Sequence, residues 1–171
     1  MKRIAFFALT LCILVSCGTR REYKEALLRA ETVMDEHPDS ALLILDSLGQ
    51  YESEFNRHFR MQYQLHQQNA VNKTSDKFTS DSLCQVLVHY FDRHGSVNER
   101  VLAHYLLGRA YTDMGEAPMA ISSYQDAISA ADTTVTGFLR YNFEYVKRKW
   151  FQKRKSKIYK NSQEHTSLRL L

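Results

Sequence analysis

Apolar residues recur every three or four positions along most of this chain, in segments long enough for several helical turns. Ala26, Ala30 and Val33 show this spacing early in the chain, and it places their side chains on one face of an α-helix. Only six Gly and two Pro occur among 171 residues, whereas a many-stranded barrel or sandwich needs frequent turns. The pattern therefore predicts an all-α fold, and the length suits one domain.

Six amphipathic helices are predicted, over residues 22–36, 38–48, 54–72, 81–94, 97–114 and 117–132. Pro38 suits a first helical turn because its missing N–H would have no partner there, and Gly49 is a typical C-terminal stop. Ser80 or Asp81 can cap the fourth helix. Two-helix units begin near residues 22, 54, 97 and 137, and this spacing is typical of a helical repeat array.

The periodicity also predicts which side chains are buried. In the third helix the apolar side holds Phe55, Phe59, Tyr63, His66 and Ala70, and in the fourth it holds Leu83, Val86, Leu87 and Tyr90. Cys84 lies in the second of these stretches, so we expect a small buried apolar role for it rather than a reactive thiol.

The N-terminus has the pattern of an export signal. Lys2 and Arg3 precede a run of twelve mostly apolar residues, 4–15, which is shorter than the roughly 20 that a membrane-spanning helix needs. The run ends in Leu-Val-Ser-Cys17, which resembles the lipobox of bacterial lipoproteins. That resemblance implies a cleaved signal peptide over 1–16 and a lipidated tether over 17–21. An ordinary signal peptide, or a buried helix with an incidental cysteine, is the alternative.

Residues 101–134 resemble a single tetratricopeptide repeat (TPR). The matching positions are Leu107, Gly108, Tyr111, Gly115, Ala120, Tyr124 and Ala127. In that pattern the small residues 108 and 120 lie where two antiparallel helices touch, the two tyrosines fill the space beside them, and residue 115 permits the turn. His104 and Asp132 depart from the pattern, and an unrelated helical hairpin is the alternative.

Residues 20–134 as a whole resemble TPR lipoproteins of Bacteroides-type bacteria. Resemblance to lipoprotein sorting rules, with Gly18 and not Asp after Cys17, favours an anchor at the outer membrane that faces the periplasm. The resemblance to TPR lipoproteins implies an all-α solenoid of about three stacked antiparallel hairpins over 22–134. It further implies a scaffold that binds an envelope protein or peptide without catalysis, or else the periplasmic sensory part of a truncated TPR regulatory protein. The concave face would present Arg60, Gln64, Asn98, Arg100, Arg109 and Asp113 to the partner.

The C-terminal region, 135–171, differs sharply in charge from the rest. From residue 137 it holds ten Lys and Arg against two Glu, whereas residues 4–136 hold eleven against seventeen Asp and Glu. One interpretation is an aromatic helix that caps the array, followed by a solvated tail. A second is a contact for anionic lipid through Lys147, Arg148, Lys149, Lys153, Arg154 and Lys155. A third interpretation is that the chain was shortened or frame-shifted near residue 135. The export signal argues against nucleic acid as a partner of this region.

Sequence motifs for catalysis or metal binding are not found. The seven histidines form no His-Glu-x-x-His pattern, and no phosphate-binding glycine loop or Gly-x-Ser-x-Gly elbow occurs. His66 and His104 are expected to be packing residues. We therefore expect no enzyme activity, no cofactor and no metal.

Overall fold

The structure is a computed structural model that describes residues 21–74, 77–131 and 136–168, with side chains of the last helix described for 140–156. Every regular element in these residues is helical, which confirms the all-α prediction. The signal peptide, Cys17 and nearly all of the tether lie outside the described residues.

Seven α-helices and one 3-10 turn make up the described chain. They are α1 (21–33), α2 (Pro38–Gly49), the turn Glu52–Glu54, α3 (Arg57–Lys73), α4 (Ser82–His94), α5 (Val97–Met114), α6 (Ala117–Ala130) and α7 (Thr136–Leu168). α5 has the predicted bounds. α3 begins three residues later than predicted because Glu52–Glu54 forms a separate turn and Asn56 caps the helix by accepting a hydrogen bond from Phe59 N.

The described residues form two compact units that divide between 76 and 77. The first unit contains α1 to α3 and has a core of its own, built from Leu27, Ala30, Met34, Ala41, Leu45, Leu48, Phe55, Phe59, Tyr63 and Ala70. Gly49 lies so close to the Tyr63 hydroxyl that an added Cβ would come within 2.6 Å of it. Leu65 is also fully buried, although the predicted apolar side of α3 did not include it.

The second unit contains α4 to α7. The prediction that Val86 faces the interior is wrong, because its side chain is 53% exposed. Cys84, Leu87, Tyr90 and Phe91 are the buried residues of α4 instead, so the face that packs is rotated towards Phe91. Cys84 is buried as expected, and burial raises the pKa of its thiol to about 12.

α5 and α6 form a hairpin joined by Gly115 and Glu116. Gly115 has a φ of +81°, a left-handed conformation that glycine adopts at little cost. Gly108 faces the fully buried Tyr124, since a Cβ at this position would come within 2.6 Å of the ring. The other four residues of the TPR-like pattern, Leu107, Tyr111, Ala120 and Ala127, are buried as well.

α7 packs against α6, and Val146 is its buried residue among those with described side chains. The sequence-based boundary at 135 therefore falls inside the second unit, which includes α7. Within the described part of the chain, no helix combines the length and the apolar character that crossing a membrane requires.

Candidate binding groove

A groove of about 600 Å³ lies between α5, the turn into α6, and α7. Its lining combines five cationic side chains, two large aromatic ones and a single carboxylate with small residues such as Gly115 and Ala117. The lining residues are Lys77, Arg109, Thr112, Asp113, Gly115, Ala117, Tyr145, Val146, Lys149, Trp150, Lys153 and Arg154. All of them belong to the second unit.

The α7 wall of the groove follows from helical spacing. Tyr145, Lys149 and Lys153 are four residues apart and therefore share one face of the helix, with Trp150 and Arg154 beside them. Lys149 Nζ lies 4.7 Å from the centre of the Tyr145 ring, and Arg154 Cζ lies 5.3 Å from the centre of the Trp150 ring. These cation–π contacts place aromatic faces and positive charge next to each other.

The α5 wall carries the carboxylate. Asp113 is largely buried, and its two oxygens accept from Arg109 Nη2 at 3.4 Å and from the backbone N–H of Phe78 at 3.2 Å. Thr112 beside it donates to Gly108 O at 2.8 Å. Asp113 thus links α5 to the segment before α4, and its charge is partly satisfied inside the protein.

The groove brings together two sets of residues that the sequence analysis treated separately. Arg109 and Asp113 come from the expected concave face, and Lys149, Lys153 and Arg154 come from the basic tail. Lys147, Arg148 and Lys155 are on α7 but do not line the groove. Arg148 instead donates to Glu144 O, and Lys147 lies 3.9 Å from the Glu144 carboxylate.

The remaining residues of the expected concave face lie elsewhere. Arg60 Nη2 donates to the carbonyls of Glu52 and Phe55 at 3.1 and 3.2 Å, and Gln64 donates to the Glu52 carboxylate at 3.0 Å. These two side chains hold the 3-10 turn against α3 in the first unit. Asn98 and Arg100 lie in the first turn of α5, away from the groove lining.

The first unit has a smaller cavity of about 420 Å³ beside the start of α1. Its lining mixes both charges with aromatic rings, and Tyr23 is its centre. The Tyr23 hydroxyl donates to Glu54 at 2.8 Å, a bond that raises the pKa of Tyr23 to about 12. The ring stacks on Tyr51 and contacts the edge of Phe55. The hydroxyl and ring of Tyr23 are thus both engaged by residues of the first unit.

The two histidines that were expected to pack are partly buried. His104 Nε2 lies 2.9 Å from Asp92 Oδ1, which links α5 to α4, while His66 lies on α3 in the first unit. Among the residues that the structure describes, no group of three or more His, Cys, Asp and Glu side chains is arranged to hold a metal ion.

Sequence reasoning did not assign Lys77, Tyr145 or Trp150 to a site. The four-residue spacing of Tyr145, Lys149 and Lys153 indicated that they share one helical face. Lys77 lies between the predicted third and fourth helices, where no pattern indicated a binding site. Comparison of the chain with protein-family models, with curated proteins and with solved structures found no match in any of the three.

Proposed function

We propose that this protein is a lipid-anchored helical interaction module of the bacterial envelope, which binds a partner protein and catalyses no reaction. The observation that carries the proposal is the α5–α7 groove, a concavity of about 600 Å³ whose polar rim and aromatic wall suit a segment of another chain. The export signal and the lipobox-like Cys17 support the anchor.

A TPR-like arrangement of the hairpins is part of this proposal. It is supported by the close approach of Gly108 to Tyr124 and by the left-handed turn at Gly115, which are the roles that these positions have in the repeat pattern. Repeats of this kind commonly bind extended segments or helices of other proteins.

Site-specific photo-crosslinking in cells tests the proposal. A photoreactive phenylalanine analogue at Ala117, which lines the groove, is compared with the same analogue at Ser122, which is exposed on the same helix and does not line it. We expect a discrete adduct with an envelope protein from position 117 alone. Equal adducts from both positions, or none from 117, would contradict the proposal.

Substitutions are a sharper second test than shortening the chain, because removal of α7 would also uncover α6, against which it packs. The adduct from position 117 should be lost when Trp150 is replaced by Ala, since this removes an aromatic wall of the groove. Replacement of Phe151, which is 48% exposed and does not line the groove, should leave the adduct in place.

A further inference from the structure

We infer that the α5–α7 groove binds an extended, acidic segment of the partner protein, with carboxylates on alternate residues facing Lys149 and Lys153. This inference rests on the proposed function and adds the chemistry of the partner. It follows from the charge of the groove, from the spacing of its cations and from its concave shape.

The charge of the groove is strongly unbalanced. Five cationic side chains line it, and Asp113 is the single carboxylate among the lining residues. Asp113 is already engaged by Arg109 and by the Phe78 N–H, so it offsets little of the charge on the α7 wall. Like charges gathered in a concave site raise the local potential and attract ligands of opposite sign.

The spacing of the cations fits an extended chain. Lys149 and Lys153 are one helical turn apart on α7, which is about 6 Å along the axis at roughly 1.5 Å per residue. Alternate residues of an extended segment are separated by about 6.6 Å and point to the same side. A segment that runs along α7 with Asp or Glu at every second position therefore meets both cations in register.

The shape of the groove favours a protein segment over a membrane surface. A bilayer presents a broad surface of headgroups, which would meet the outer side of α7, where Arg148 and Lys155 are exposed outside the groove. Tyr145 and Trp150 instead line the concavity itself, where they would flank an elongated ligand.

Trp150 is the sequence's single tryptophan and lines the groove, so its fluorescence reports on binding there. The experiment uses the full chain in phosphatidylcholine nanodiscs, titrated with a dodecapeptide of alternating Glu and Thr. We expect a saturable change in Trp150 emission that weakens as salt screens the charges. The same peptide with Gln in place of Glu should produce no change.

Two matched double variants locate the binding site. Lys149→Gln with Lys153→Gln removes two charges from the groove wall, and Arg148→Gln with Lys155→Gln removes two from α7 outside it. We expect affinity for the acidic peptide to fall about tenfold or more in the first, equivalent to about 1.4 kcal/mol, and to change little in the second. Far-ultraviolet circular dichroism verifies that both variants remain helical.

Three results would overturn the inference. An equal loss of affinity in both double variants would mean that diffuse charge, and not the groove, attracts the peptide. A change in Trp150 emission caused by nanodiscs containing phosphatidylglycerol, without any response to peptide, would identify anionic lipid as the ligand. Self-association of the chain without a peptide response would identify a second copy. If the Ala117 adduct persists in any of these cases, the proposed function stands and only the acidic chemistry is wrong.

Discussion

At the scale of single residues, Gly108 is a position where the structure leaves no room for a side chain. An alanine there places its Cβ 2.6 Å from two ring carbons of Tyr124, which is fully buried with its hydroxyl 3.2 Å from Thr112 Oγ1. Overpacking of this kind costs about 1–3 kcal/mol, whereas alanine gains only about 1 kcal/mol over glycine within a helix. Because both contacted carbons belong to a fully buried ring, we expect an overpacking cost of about 2–3 kcal/mol. Gly108→Ala should therefore lower the free energy of unfolding by about 1–2 kcal/mol, measured by urea denaturation.

The matched control for this change is Ser122→Ala, an exposed substitution in the middle of α6. It should leave stability unchanged or raise it slightly, because only helix propensity differs. A Gly108→Ala variant that is as stable as the unchanged protein would show that the two helices do not approach as closely as the structure places them.

Buried acidic protons, among them those of Tyr124 and Cys84, make the stability of the protein fall at alkaline pH. Burial is the largest of the effects that raise the pKa of Tyr124 and that of Cys84, each to about 12. The unfolded chain loses these protons at lower pH than the folded chain does, so their contribution is complete below about pH 9 and is lost as pH rises towards 12. Each group reduces the free energy of unfolding by at most about 1.4 kcal/mol per pH unit within its window.

Tyr124→Phe tests this pH dependence, since it removes one of the two groups. We expect the alkaline decline in stability to become shallower in this variant when urea midpoints are measured across the pH range. Tyr141→Phe is the control, because Tyr141 is 62% exposed on α7. An equally steep decline in Tyr124→Phe and in the unchanged protein would contradict the prediction.

At the scale of elements, the N-terminus of α5 is stabilised by two reciprocal hydrogen bonds between Ser96 and Glu99. The Ser96 hydroxyl accepts from Glu99 N, and the Glu99 carboxylate accepts from Ser96 N at 2.8 Å. Ser96→Ala removes the cap and should cost about 1 kcal/mol of stability. Glu116→Ala, at the start of α6, should cost much less, because the Glu116 side chain makes no capping bond. Thermal unfolding of the two variants measures the difference, and equal losses would refute a specific role for the cap.

The elements that the sequence predicted best are those with local signals at both ends. α5 has the predicted bounds, and the structure shows a local signal at each of them, since Ser96 and Glu99 cap its start and Gly115 ends it. The buried face of α4 depends instead on what packs against it. Periodicity alone could not choose between Val86 and Phe91, because they flank the stripe of Leu87 and Tyr90 on opposite sides.

At the scale of the whole molecule, the groove could not be predicted because its walls are distant in sequence. Arg109 and Lys149 reach the same concavity only through the packing of α7 in the second unit. No spacing rule within one helix carries that information. The basic character of α7 was visible in the sequence. The sequence did not show that Lys153 lines the groove whereas Arg148 lies on the outer surface of α7.

The proposed anchor leads to a prediction for the whole protein. Replacement of Cys17 by Ser removes the thiol that a lipid would modify, and the chain should then no longer incorporate an alkynyl palmitate analogue in cells. Cys84→Ser is the control, since Cys84 is 1% exposed and is not the expected lipid acceptor. Palmitate labelling that is undiminished in Cys17→Ser would rule out lipidation at this cysteine.

The short connection between α5 and α6 has a consequence for the order in which the molecule assembles. Only Gly115 and Glu116 separate the two helices, so contacts such as Gly108 with Tyr124 join residues that are near in sequence and form early. A chain is synthesised from its N-terminus, and α7 is therefore made after the hairpin that it covers. The groove is complete only once α7 has been made and has packed, so the proposed binding of a partner has to wait for α7.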